Sequence, residues 1–175
     1  MSKKLIDVSH TVSDGLVTYK GLPAPIICDY LSREASREHY AEGTAFHIGK
    51  IEMVANTGTY VDAPFHRYAD GKDLAELPLS SLVNLDCVVI RVPEGYGRSL
   101  HPDLLQNKNV EGKAVLFDTG DGTRPVHSTL LHHEIPIVEH LTGLYALPDN
   151  NFRFFAVPVK VKAFGTFPVH AFGIV

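Results

Sequence analysis

A chain of 175 residues fits one domain with one core, read over residues 1–175. Hydrophobic residues make up 45% and charged residues 21%, with a formal net charge of -4, so the composition is that of a folded globular protein and gives no electrostatic reason to expect nucleic acid or an anionic membrane as partner. No apolar run approaches the roughly 20 residues that cross a bilayer, and Met1-Ser2-Lys3-Lys4 opens too polar for a signal peptide, so a cytoplasmic location is expected.

Leu5 to Val8 reads as a first strand, followed by an Asp14-Gly15 turn. Ile26 to Leu31 reads as a strand and polar Ser32 to Tyr40 as irregular chain. Ala45 to Val54 alternates, with Phe46, Ile48 and Ile51 apolar and Lys50 and Glu52 outward near the end, and reads as a strand. Asn56 to His66 is dense in turn formers and is placed on a loop. Leu79 to Leu82 reads as a short helix or turn, and Cys87 to Val92 as a buried strand stopped by Pro93 and Gly95. His101 to Leu105 begins a helix that Ser99 can cap, and Ala114 to Phe117 is a short apolar strand. His132-His133-Glu134 is a solvated turn, and Phe152 to Val161 and Val169 to Val175 close the chain as strands. Strands outnumber helices, so the fold class is mixed α/β and β-rich. Cys28 and Cys87 lie in apolar stretches and are expected as two buried thiols; with no Cys-x-x-Cys pair, a thiolate zinc site is not expected.

The functional residues cluster in Asn56-Thr57-Gly58-Thr59-Tyr60-Val61-Asp62-Ala63-Pro64-Phe65-His66. Gly58 permits a sharp turn and Pro64 stiffens the exit. Asp62 and His66, four apart, can point into one pocket. There a carboxylate binds a divalent cation, and a histidine binds it too or serves as general base. Ordinary alternatives exist: an Asx turn at Asp62, a packed tyrosine with one hydrogen bond at Tyr60, turn chemistry at Asn56.

This segment resembles the signature of the cyclase family, His-x-Gly-Thr-His-x-Asp-x-Pro-x-His. Gly58, Thr59, Asp62, Pro64 and His66 match, and Asn56 and Tyr60 stand where the family has histidines. Leu5-Ile6-Asp7-Val8-Ser9-His10 resembles its opening strand. Arg124-Pro125-Val126-His127 and Ile137-Val138-Glu139 resemble its later histidine and glutamate elements, and Val157-Pro158-Val159 and Phe167-Pro168-Val169 its closing strands. A segment near 118–123 is missing relative to the family. The resemblance implies a swivelling β/β/α cyclase-like domain, assembled as a homo-oligomer (dimer or tetramer). It implies hydrolysis of a small amide or lactam, of the kind performed by kynurenine formamidase in tryptophan catabolism or by isatin hydrolase. It places a zinc or manganese ion on the positions of Asn56, Tyr60 and Asp62, completed by His127 and Glu139, with His66 as acid/base. An amide and a phenol are poorer ligands than two imidazoles, so the metal can be absent here. Two alternatives follow: metal-free acid/base chemistry by His66, Asp62 and Tyr60, or a catalytically silent member that binds a small molecule or a partner.

Overall fold

The structure is a computed structural model in which residues 3–92, 102–105, 107–118 and 130–175 are described. Ser99, His101 and the Arg124–His127 segment lie outside them. The strands in chain order are β1 (Leu5–Asp7), β2 (Ile26–Leu31), β3 (Ile48–Glu52), β4 (Tyr60–Asp62), β5 (Leu85–Arg91), β6 (Ala114–Asp118), β7 (Ile137–Glu139), β8 (Asn150–Phe155), β9 (Thr166–Pro168) and β10 (Phe172–Ile174); α1 spans Arg33–Ser36. The mixed, β-rich class is as expected. The chain divides into two compact units, Met1–His10 with Thr59–Val175, and Thr11–Gly58.

In the first unit, five strands run in the order β1-β10-β8-β5-β6. The β5–β6 pair is parallel and the other pairs are antiparallel. β5 lies inside this sheet because Cys87-Val88-Val89-Ile90 is apolar without a break, and all four residues are buried. β8 alternates instead: Phe152 and Phe154 point into the core, while Arg153 reaches across to Asp86 at 2.9 Å. Phe155 stacks on its registered partner Phe172 at 4.9 Å between ring centroids. Val8, Leu116, Leu144, Leu147 and Val169 complete the core around them.

Phe154 is 4% exposed within this cluster. Phe154→Ala is expected to cost about 3–5 kcal/mol, the lost transfer energy plus the cavity left behind. Urea denaturation checks it; a loss under about 1 kcal/mol would mean the sheet collapses around the vacancy.

A smaller sheet of order β7-β4-β9 carries the signature segment. Tyr60 to Asp62 is therefore its central strand and not loop, and all three residues are buried. The closing strand expected over 169–175 is shorter, with β10 at Phe172–Ile174 in the larger sheet, and Thr166–Pro168 before it forms β9 in this one. Strand β8 stops at Phe155, so 156–161 is extended chain outside either sheet.

The second unit holds the β2–β3 ribbon. The strand expected within 45–54 is present as β3, but its apolar residues are not buried, since every residue of it is exposed. Ser32 accepts a hydrogen bond from Ala35 N at 3.1 Å, so the polar run after β2 opens with a capped helical turn, α1, rather than irregular chain. Cys28 is exposed, contrary to expectation. Cys87 is buried, and burial pushes its thiol up to about 12, which leaves it protonated and unreactive.

Candidate functional site

Residues two apart on a strand share a face, and directly opposed residues of antiparallel neighbours share that face too. Tyr60 and Asp62 are two apart on β4. Glu139 on β7 is registered against Tyr60, and Thr166 on β9 against Asp62. One face of the small sheet thus carries a phenol, two carboxyl groups and a hydroxyl.

Past Asp62 the chain turns. Ala63 N donates to Gly165 O at 2.7 Å, and Pro64–His66 form a 3-10 turn with proline at its start, where no amide donor is needed. Two glycines grip that turn. A Cβ on Gly165 would lie 2.5 Å from His66 N and 2.6 Å from its Cα; one on Gly71 would lie 2.8 Å from the Pro64 carbonyl carbon. His66 is thereby folded back over β9.

Thr166 Oγ1 donates to Asp62 Oδ1 at 2.5 Å and lies 2.8 Å from His66 Nδ1. The carboxylate and the imidazole are themselves 3.8 Å apart, an ion-pair distance too long for a hydrogen bond. Asp62 is buried completely, while 33% of the His66 side chain is exposed. The result is a buried carboxylate, a hydroxyl bridge and an imidazole open to solvent. No motif in the sequence singles out Thr166. The signal available is its place one residue before Phe167-Pro168-Val169.

At the other end of this face Tyr60, fully buried, donates its phenolic proton to Glu139 Oε2. Its ring lies 5.6 Å from that of His140. Just before β4, Thr59 donates to His140 O at 2.6 Å and accepts from His10 N at 3.0 Å. His10 therefore ties the chain after β1 to Thr59 and, through its ring, to His140 O. Removing the phenol hydroxyl leaves the half-buried Glu139 carboxylate short of a donor. Tyr60→Phe is expected to cost about 1.5–3 kcal/mol, the range for hydrogen bonds to charged groups. In a double-mutant cycle with Glu139→Gln the two losses should be smaller together than their sum; strict additivity would show the pair contributes nothing.

Of the residues expected at the site, Asp62 joins His66 and Tyr60 joins Glu139. His127 lies outside the described residues. Asn56 belongs to the second unit, in the bend before Gly58, whose φ of 66° is the sharp turn expected of it. The His132 and His133 rings meet edge to face at 5.4 Å on a short helical turn. Arg67 lies 6.0 Å from the Tyr68 ring.

Among the described residues no group of three or more His, Cys, Asp or Glu side chains could hold a metal ion. Tyr60 and Glu139 face each other through a proton, and Asp62 Oδ1 is taken up by Thr166. Among the described residues this donor set does not complete a cation site, and the expected ligand His127 lies outside them.

The family described as "Putative cyclase" matches residues 6–149. This chain belongs to the cyclase family. The kynurenine formamidase of Bacillus anthracis is 23% identical over 211 aligned residues that cover 97% of each chain. The aligned span exceeds the length of this chain, so that relative has residues with no counterpart here. The kynurenine formamidase of Salinibacter ruber is 29% identical over 122 residues, 69% of this chain and 54% of that one. In fold, the chain is similar to isatin hydrolase A from Labrenzia aggregata (TM-score 0.73, 16% identity, 99% and 94% coverage). It is equally similar to a predicted metal-dependent hydrolase from Bacillus stearothermophilus (TM-score 0.75, 22% identity, 99% of each chain).

Proposed function

We propose that this chain hydrolyses a small amide or lactam, with N-formyl aromatic amides of the N-formylkynurenine kind as the leading substrates. The observation that carries this reading is the Asp62–Thr166–His66 chain, whose imidazole is open to solvent at the end of a buried carboxylate relay. Such an imidazole takes a proton from water as the water oxygen attacks the amide carbonyl. The C–N bond then breaks, giving formate and a free amine when the substrate is a formamide, and the imidazolium returns the proton to the departing nitrogen. Positioned acid/base groups of this kind contribute about 10²–10⁴-fold in rate. The kynurenine formamidase and isatin hydrolase relatives support the substrate class. A place in tryptophan breakdown and a cytoplasmic location accompany it.

The proteins of similar fold include a predicted metal-dependent hydrolase, and zinc or manganese would polarise the carbonyl where a site accepts it. The described donors here do not, so no step of the reaction is assigned to a metal. The test is formate release from N-formylkynurenine by protein dialysed against chelator. Turnover that survives dialysis and disappears in His66→Ala is expected; turnover restored only by added zinc or manganese would overturn the metal-free reading. A catalytically silent family member is the second reading, favoured by the Tyr60–Glu139 pair that closes one end of the site. It requires saturable binding of formamides or isatin-like lactams with no turnover of either.

We also propose a homo-oligomer. Of the closing strands, β8 and β10 lie in the larger sheet, with Phe152 and Phe154 buried. The apolar surface lies on the β2–β3 ribbon, where Ile26, Tyr30, Ile48 and Ile51 are 55%, 76%, 44% and 56% exposed. Light scattering should give a multiple of 19.2 kDa, reduced to the monomer mass by Ile51→Glu; a monomer at high concentration for the unaltered chain would sink the idea.

A further inference from the structure

We propose that Thr166 is a positioning residue that locks His66 in the Nδ1–H tautomer, so that Nε2 is the nitrogen that accepts the proton. The inference rests on the hydrolase reading above for its functional meaning, but its geometry stands without it.

The argument is an account of protons. A threonine hydroxyl has one proton to donate and two lone pairs to accept with, and a carboxylate can only accept. Thr166 Oγ1 lies 2.5 Å from Asp62 Oδ1, so the hydroxyl proton is committed to the carboxylate. The same oxygen lies 2.8 Å from His66 Nδ1. It has nothing left to donate there, so Nδ1 must carry the hydrogen and donate it. In a neutral imidazole that leaves the lone pair on Nε2. With Asp62 ionised, the opposite assignment, with the hydroxyl donating to Nδ1, would set two lone-pair-bearing oxygens 2.5 Å apart with no proton between them.

Asp62 cannot do this directly, since 3.8 Å separates it from the ring. It holds the imidazole only through the hydroxyl. The hydroxyl is in turn fixed by the sheet: Thr166 is 3% exposed and registered directly against Asp62. Gly165, the residue before it, brings β9 against the backbone of His66, because any side chain there would collide. Strand register, a bare glycine and a β-branched hydroxyl residue with few rotamers together define one ring orientation.

The substitution that removes the hydroxyl and keeps the shape is Thr166→Val; Thr166→Ser keeps the hydroxyl. The experiment is long-range ¹H–¹⁵N NMR of protein labelled with ¹⁵N-histidine, with the imidazoles neutral and the His66 signals assigned by their loss in His66→Gln. The Nδ1–H tautomer is expected in the unaltered protein and in Thr166→Ser, and the Nε2–H form, favoured by an unconstrained histidine side chain, should dominate in Thr166→Val. An Nε2–H tautomer in the unaltered protein overturns the proposal even if the valine variant fails to fold. Persistence of Nδ1–H in a folded Thr166→Val protein overturns it as well. Turnover of N-formylkynurenine is measured in parallel. In Thr166→Val, kcat is expected to fall about tenfold or more while KM stays unchanged, with rescue by Thr166→Ser; a change in KM alone overturns the positioning role. A protein with the Nδ1–H tautomer that turns over no amide contradicts the hydrolase reading and leaves the tautomer assignment standing, so the two failures are distinct.

Discussion

His66→Ala is expected to lower kcat/KM for an N-formyl aromatic amide by about 10²–10⁴-fold, the contribution of a positioned general base. Stability should change little. One third of the side chain is already in solvent, and the ring is hydrogen-bonded to Thr166, whose hydroxyl goes on donating to Asp62 when the ring is removed. Circular dichroism and a urea midpoint close to those of the unaltered protein, together with the lost turnover, would place the effect in the chemistry. A loss in KM at unchanged kcat would instead make His66 a substrate contact.

Gly165→Ala should damage both folding and activity. The added methyl would sit 2.5–2.6 Å from the backbone nitrogen and Cα of His66, and backbone cannot swing aside as a side-chain tip can. Overpacking of this kind costs about 1–3 kcal/mol. The displacement needed to relieve it moves the imidazole off Thr166, and a shift of about 1 Å at a catalytic group can cost on the order of 10²-fold in rate. Gly49→Ala is the matched control, because its methyl would meet only the His47 ring, at 3.3 Å. If Gly165→Ala retains full stability and turnover, the turn at Pro64–His66 is not held from β9.

Much of the fold is legible where side-chain pattern and burial agree. The unbroken Cys87–Ile90 run reads as an inner strand because both its faces are covered, and β2 has the bounds expected of it. The failures have physical reasons. Gly58 and Thr59 make the whole signature look like loop, but three residues flanked by β7 and β9 suffice for a strand when both neighbours supply hydrogen bonds. The outward Ile48 and Ile51 defeat alternation as a guide to burial, since nothing in the second unit covers β3. In the site, the motif spacing locates Asp62, His66 and Tyr60. Thr166 stays hidden because it is 104 residues from its partner Asp62, and only the register of a sheet brings them together.

The larger sheet has an implication for synthesis on the ribosome. β1 pairs with β10, and the backbone bonds close at Lys4 N to Val175 O and Val175 N to Lys4 O, both 2.9 Å. Strand β1 precedes every other strand of this sheet and its mate follows them all, so until β10 is made Leu5, Ile6 and Val8 lack the strand they lie beside. Contacts that span almost the whole chain also slow folding, because the loop they close must be ordered before any pairing energy returns. The nascent chain therefore completes β5 and β6 while its first strand is still unpaired. That interval is when a chaperone that binds short apolar segments has the most to hold.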